Sequence, residues 1–134
     1  MIPVKIDGTQ YATHVAVLNG LFDKNYKAYQ GAECKLGNGY SVWFPVVTRT
    51  ANKTQATQAY NGWKNLLVNG DTEIHQYWPD PSKAPLQKAA KEKRITFAKF
   101  ISGGKHWYEF IGVFEHVASK QDHTVHKRIA VRYP

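Results

Sequence analysis

Cysteine is nearly missing from this chain: Cys34 stands alone among 134 residues. One cysteine cannot close an intrachain disulfide, and with no CxxC partner it anchors no zinc. Long apolar runs are missing as well. No stretch approaches the roughly 18 residues needed to span a bilayer. Met1 to Asp7 lacks the apolar segment of a secretory signal, so the cytoplasm is the expected compartment. Catalytic signatures are scarce: there is no GxSxG, no P-loop and no HExxH. His123 and His126 make an HxxH pair, but residues three apart on a strand face opposite sides. No metal site and no cofactor is expected from them. Repeats and low-complexity tracts are absent, and the length fits one domain over 1–134.

Acid is the scarce charge. Ten Asp and Glu face 18 Lys and Arg, a balance of +8. The base is clustered. From Lys83 to Lys105, Lys83, Lys88, Lys91, Lys93, Arg94, Lys99 and Lys105 oppose Glu92 alone. Lys120, Lys127, Arg128 and Arg132 oppose only Asp122 near the end. Clustered base of this kind is the footprint of a polyanion binder.

What the chain has in quantity is aromatic and β-branched sequence. Thr13 is placed to cap a helix carrying Val15, Leu18 and Phe22. Tyr40 to Val47 reads as a strand that Pro45 confines to an edge or a bulge. Tyr40, Val42, Phe44 and Val46 share one face, Ser41 and Trp43 the other. Asn52 to Val68 reads as a helix with Ala56, Tyr60, Trp63 and Leu67 on one stripe, unless Gly62 stops it and a strand opens at Gly62-Trp63-Lys64-Asn65. Thr72 to Trp78 reads as a strand, and Pro85 to Lys93 as a short basic helix. Arg94–Ile101 and His106–Glu115 form a hairpin across Ser102-Gly103-Gly104-Lys105. In its second strand Tyr108, Phe110 and Phe114 share one face, with Trp107, Ile111 and Val113 opposite. Gly112 marks a bend or a close approach. In Thr124–Arg132, Val125, Ile129 and Val131 point inward, leaving His126, Arg128 and Arg132 as an outer basic stripe. About five strands with two or three short flanking helices make an α+β domain around a small curled sheet or barrel.

Two kinds of site follow. Glu33-Cys34-Lys35 is an ExK with Asp23 upstream, so Asp23, Glu33 and Lys35 are candidates for a small metal-dependent nuclease. Aromatics interleaved with polar and basic residues point instead to stacking on bases with cations on phosphates. The candidates are Trp43, Trp63, Lys64, Asn65, Lys99, Trp107, Tyr108, His126, Arg128 and Arg132. A domain that docks onto an acidic protein or holds a small ligand is the third reading.

Ile95-Thr96-Phe97-Ala98-Lys99, Tyr108-Glu109-Phe110-Ile111-Gly112-Val113-Phe114-Glu115 and His126-Lys127-Arg128-Ile129 resemble the end of PUA-like modules. This superfamily includes SRA, ASCH and EVE domains, and similar pieces are attached to bacterial HNH and restriction endonucleases. Val42-Trp43-Phe44-Pro45 and Gly62-Trp63-Lys64-Asn65 are compatible with it, so the resemblance covers about 40–132. It implies a curled barrel that reads DNA or RNA, often at a modified base flipped into a pocket. It also implies a separate nuclease or effector protein as partner, in bacterial defence. Trp43, Tyr108 or Trp107 would supply the rings, and Asn61, Asn65 or Glu109 the edge contact. An open cavity between Trp43 and Tyr108, rimmed by Arg128, is the arrangement this reading expects.

Overall fold

The computed structural model describes residues 3–59, 62–80 and 91–134. Thr13 caps the helix α1 (His14–Leu21), its hydroxyl accepting from the Ala16 N–H at 3.0 Å. The rest is chiefly strand: β1 (Val4–Lys5), β2 (Gln10–Tyr11), β3 (Glu33–Lys35), β4 (Tyr40–Trp43), β5 (Val47–Thr48), β6 (Lys64–Val68), β7 (Glu73–Tyr77), β8 (Lys93–Ser102), β9 (Lys105–Ser119), β10 (His123–Ala130) and β11 (Arg132–Tyr133). β1 pairs with β11, and the main sheet runs β3-β4-β8-β9-β10-β7-β6-β5 with β2 beside β9. The hydrogen-bonded path is open rather than a closed barrel, with more strands and fewer helices than the sequence suggests. One isolated bridge, Val46 to Lys99, carries the chain after β4 along β8, and the Lys99 N–H donates to the Pro45 carbonyl at 2.8 Å. Pro45, which has no N–H, ends β4 but still serves as an acceptor.

The helix expected over Asn52–Val68 does not form. Asn52 caps only a single 3₁₀ turn, Lys53–Gln55. Gly62 adopts φ +90°, where an added Cβ would press on Pro79. Asn69, Gly70 and Asp71, all at positive φ, then turn β6 back onto β7. Cross-strand pairing overrides the helical stripe. The strand alternative at Gly62 is the one realised. Residues 85–90 of the expected basic helix lie outside the described residues, and Lys93 begins β8.

The sheet has two packed faces. On one, α1 covers Val42, Phe44, Ile95, Phe97, Tyr108, Phe110 and Val113. On the other, Trp43, Val47, Leu67, Ile74, Ala98, Phe100, Ile111 and Phe114 pack together. The expected alternation in β9 is broken between these sets: Val113 joins Tyr108 and Phe110, while Phe114 joins Ile111. The register shows why. Thr96 opposes Gly112 and Phe97 opposes Phe110, leaving Ile111 as an extra residue. Such a bulge transfers every later side chain to the other face. Gly112 sits at φ +127°, and the Arg128 stem fills the space where its Cβ would be.

Two further irregularities lie between β9 and β10: Val117 is the extra residue on β9 beside Val125/His126, and Ile129 the extra residue on β10 between Arg128 and Ala130. Val125 is buried as expected, but the sidedness expected of the rest of the segment fails. His126 is 2% exposed, whereas Ile129 and Val131 are 43% and 55% exposed. His126, Arg128 and Arg132 therefore do not form one outer basic stripe. Among the described residues no helix is long and apolar enough to cross a membrane.

Candidate nucleic-acid interface

The face opposite α1 is apolar at one end and polar at the other. Strand parity places Asn65 beside Leu67, and Gln76 and Trp78 beyond Ile74. Cross-strand register sets Asn65 opposite Gln76, Gln76 opposite Thr124, Ile74 opposite His126 and His126 opposite His116. Neighbours of this kind lie roughly 5 Å apart at Cβ. The Trp43 ring completes the group, 5.1 Å from that of His126.

Asn65, Trp78, Thr124 and His126 are all buried, yet their hydrogen bonding is incomplete. Asn65 Nδ2 donates to the Val46 carbonyl at 2.9 Å, and His126 Nε2 meets Thr124 Oγ1 at 3.0 Å. Asn65 Oδ1, Trp78 Nε1 and His126 Nδ1 have no partner among the described residues. A buried polar atom left unpaired costs about 1–3 kcal/mol. Three on one face form an array that a ligand could complete. Burial, and then the nearby Arg94, His116 and His75, lower the His126 pKa to about 3. The imidazole is therefore neutral at physiological pH.

Behind Trp43 lies an ion pair. The Arg94 guanidinium sits 4.4 Å from the Trp43 ring centroid, and its Nε donates to Glu33 Oε2 at 2.9 Å. The Ser41 hydroxyl donates to the same oxygen at 2.7 Å. Burial lowers the Arg94 pKa, and Glu33 opposes that shift.

This arrangement reassigns the nuclease trio. Glu33 is held by Arg94 and Ser41, Lys35 pairs with Glu92 at 3.5 Å, and Asp23 occupies a left-handed turn after α1. Among the described residues no group of three or more His, Cys, Asp or Glu is placed to hold a metal.

The other sequence candidates divide. Trp43 and Asn65 belong to the polar end, and His126 joins them from inside rather than as a surface cation. Tyr108 lies on the opposite, α1-covered face, edge-on to Phe44 and His14, so the sheet separates it from Trp43 and the two rings do not face each other across one site. Trp107 stacks on Phe100 at the apolar end and donates to Glu109 Oε1 at 2.9 Å. Arg128 covers Gly112 and reaches the Asp71 and Ile111 carbonyls at 3.4 Å. Lys64 Nζ donates to the Lys53 carbonyl at 3.2 Å, and Lys99 Nζ lies 5.8 Å from the Tyr108 ring centroid. Arg132 is exposed and Trp63 half-buried, while Asn61 lies outside the described residues. Trp78, Thr124, Gln76 and Arg94 lie in or against the same polar group and are not among the sequence candidates. Trp78 carried a readable signal: in the strand Thr72–Trp78 it shares parity with Ile74.

The sequence model of one family, described as "SRA: SET and RING associated domain", matches residues 5–134. Among solved structures, the chain is similar to "The 5-Hydroxymethylcytosine-Specific Restriction Enzyme AbaSI", with a TM-score of 0.73 and 24% identity. The match covers 98% of this chain and 42% of that one, so this chain spans less than half of the enzyme's length. No curated protein matches the sequence.

Proposed function

This chain belongs to the SRA (SET and RING associated) domain family, and we propose that it is a DNA-binding module that takes one extruded, modified cytosine into the polar end of its sheet. The supporting observation is the trio of buried, unpaired atoms on Asn65, Trp78 and His126. Their chemistry is directional. Asn65 Oδ1 only accepts and Trp78 Nε1 only donates. His126 is neutral, and in the tautomer that accepts the Thr124 hydroxyl at Nε2 its proton rests on Nδ1, which then donates. One acceptor and two donors complement cytosine, whose edge offers the N4 amino group, N3 and O2. Thymine would present its own N3–H to a donor. Trp43 supplies a stacking wall, as sites that read flipped bases require.

The restriction enzyme of similar fold is named for 5-hydroxymethylcytosine, which supports a cytosine substituted at C5 as the base. The match to less than half of that enzyme supports a nuclease or other effector as partner. Exposed Lys93, Lys105, Lys120 and Lys127 supply cations for phosphates.

Fluorescence anisotropy tests the reading with duplexes that differ at one site: cytosine, 5-methylcytosine or 5-hydroxymethylcytosine. A modified duplex binds more tightly, and every affinity falls linearly with the logarithm of salt. Asn65→Ala, checked for folding by circular dichroism, loses roughly ten- to a hundredfold on the preferred duplex. Equal affinity of the wild-type protein for all three duplexes sinks base capture.

A further inference from the structure

Glu33 and Arg94 lie 61 residues apart in sequence and meet across β4. Glu33 is opposite Trp43 on one side of that strand, and Arg94 is opposite Ser41 on the other. The ion pair thus runs diagonally over β4, between Ser41 and Trp43. We infer that Arg94, locked by Glu33 and Ser41, is the positioning residue that sets the Trp43 ring as the stacking wall for the captured base.

Three observations support this inference, which rests on the base-capture reading. First, the guanidinium lies over the indole at 4.4 Å, within the range of a cation–π contact. A planar guanidinium can stack and hold a carboxylate at once, which an ammonium cannot. Second, the pair is largely withdrawn from water, the Arg94 and Glu33 side chains being 15% and 24% exposed. A withdrawn ion pair adds little to stability over a well-packed apolar substitute, and the best-attested use of such pairs is to fix geometry. Third, the only other ring contact of Trp43 among the described residues is His126, one of the three groups with an unpaired atom. A shift of the indole would therefore change the space in front of the reading array. Arg94 also faces His126 electrostatically, together with His116 and His75, and helps to keep it neutral.

The test uses the full chain with 5-fluorotryptophan incorporated, the Trp43 resonance being assigned from Trp43→Phe. Without DNA, ¹⁹F NMR gives a single sharp Trp43 line in the wild-type protein. Arg94→Met and Glu33→Gln shift and broaden that line, and Arg94→Lys fails to restore it. In the same variants, preference for a 5-hydroxymethylcytosine duplex over the unmodified one falls roughly three- to thirtyfold. In Arg94→Met the His126 ring also titrates at a higher pH because a nearby cation is gone, whereas Arg94→Lys keeps the charge and leaves that titration low while still failing to restore the Trp43 line. Should Arg94→Met fail to fold, Ser41→Ala removes one hydrogen bond to Glu33 and gives a smaller shift in the same direction. An undisturbed Trp43 line in the folded variants overturns the role of Arg94, whatever the DNA result. Absence of any preference in the wild-type protein overturns base capture instead, so the two failures are distinguishable.

Discussion

Two faces of one sheet, made by the same strands, are finished in different ways. On the α1 side, Phe97 meets the rings of Tyr11, Phe22, Phe44 and Phe110 at centroid distances of 5.5–6.4 Å. On the far side, a comparable aromatic and aliphatic set occupies only one end, and the other end holds three of the four buried polar atoms without a partner among the described residues, the fourth being His14 Nδ1 on the α1 side. Close-packed apolar contact gives stability in proportion to buried area. Unpaired buried polar atoms lower stability, and a fold retains them where something else repays the loss. The α1 face is where stability resides, and the polar end is where binding is proposed.

The largest test of this contrast is acid. Below pH 6.5 an unfolded His126 binds a proton that the folded protein refuses down to about pH 3. Stability therefore falls as pH falls through that window and levels off below it. At about 1.4 kcal/mol per pKa unit the loss is on the order of 5 kcal/mol. Urea unfolding at pH 7, 5 and 4 measures it. His14, on the α1 face, is also lowered, first by burial and then by Lys99. The difference between wild type and His126→Gln isolates the polar end, and the same acid slope in both would break the comparison.

Phe97→Ala should come next, costing about 3–5 kcal/mol because Phe97 is fully buried among rings. The protein that remains folded should keep its preference among duplexes. A changed preference would mean that the two faces are coupled. Trp78→Phe should have the smallest effect on stability, about 1–2 kcal/mol, because the cost of the deleted ring volume is offset in part by removing an N–H with no partner among the described residues. Preference for the modified duplex should nevertheless fall. A Trp78→Phe variant as unstable as Phe97→Ala would show that the polar end is ordinary core.

Much of this was legible in the chain. Thr13 announced the start of α1, and Gly103-Gly104 the hairpin between β8 and β9, where both glycines take positive φ. Pro45 signalled an edge or a bulge in a strand running to Val47, but β4 stops at Trp43 and has β3 and β8 on its two sides. Asn65, expected as an edge reader, and Trp43, expected as a ring, lie at the polar end, where base capture is proposed. His126 was named for its charge, yet it serves as a buried neutral group. Glu33 was named as a metal ligand, yet it holds Arg94.

The sequence by itself determined the long strands and hairpin of the C-terminal third, the excess of base and membership in the SRA family. These depend on local alternation, turn chemistry and composition, which a linear chain records. Only the tertiary structure decided which side chains face which way beyond Gly112 and along β10. Alternation carries facing only until a strand gains an extra residue, and a bulge is set by the partner strand rather than by the pattern. For the same reason Glu33 could not reveal its role alone, because the cation that defines it comes from β8, brought alongside only when the sheet forms.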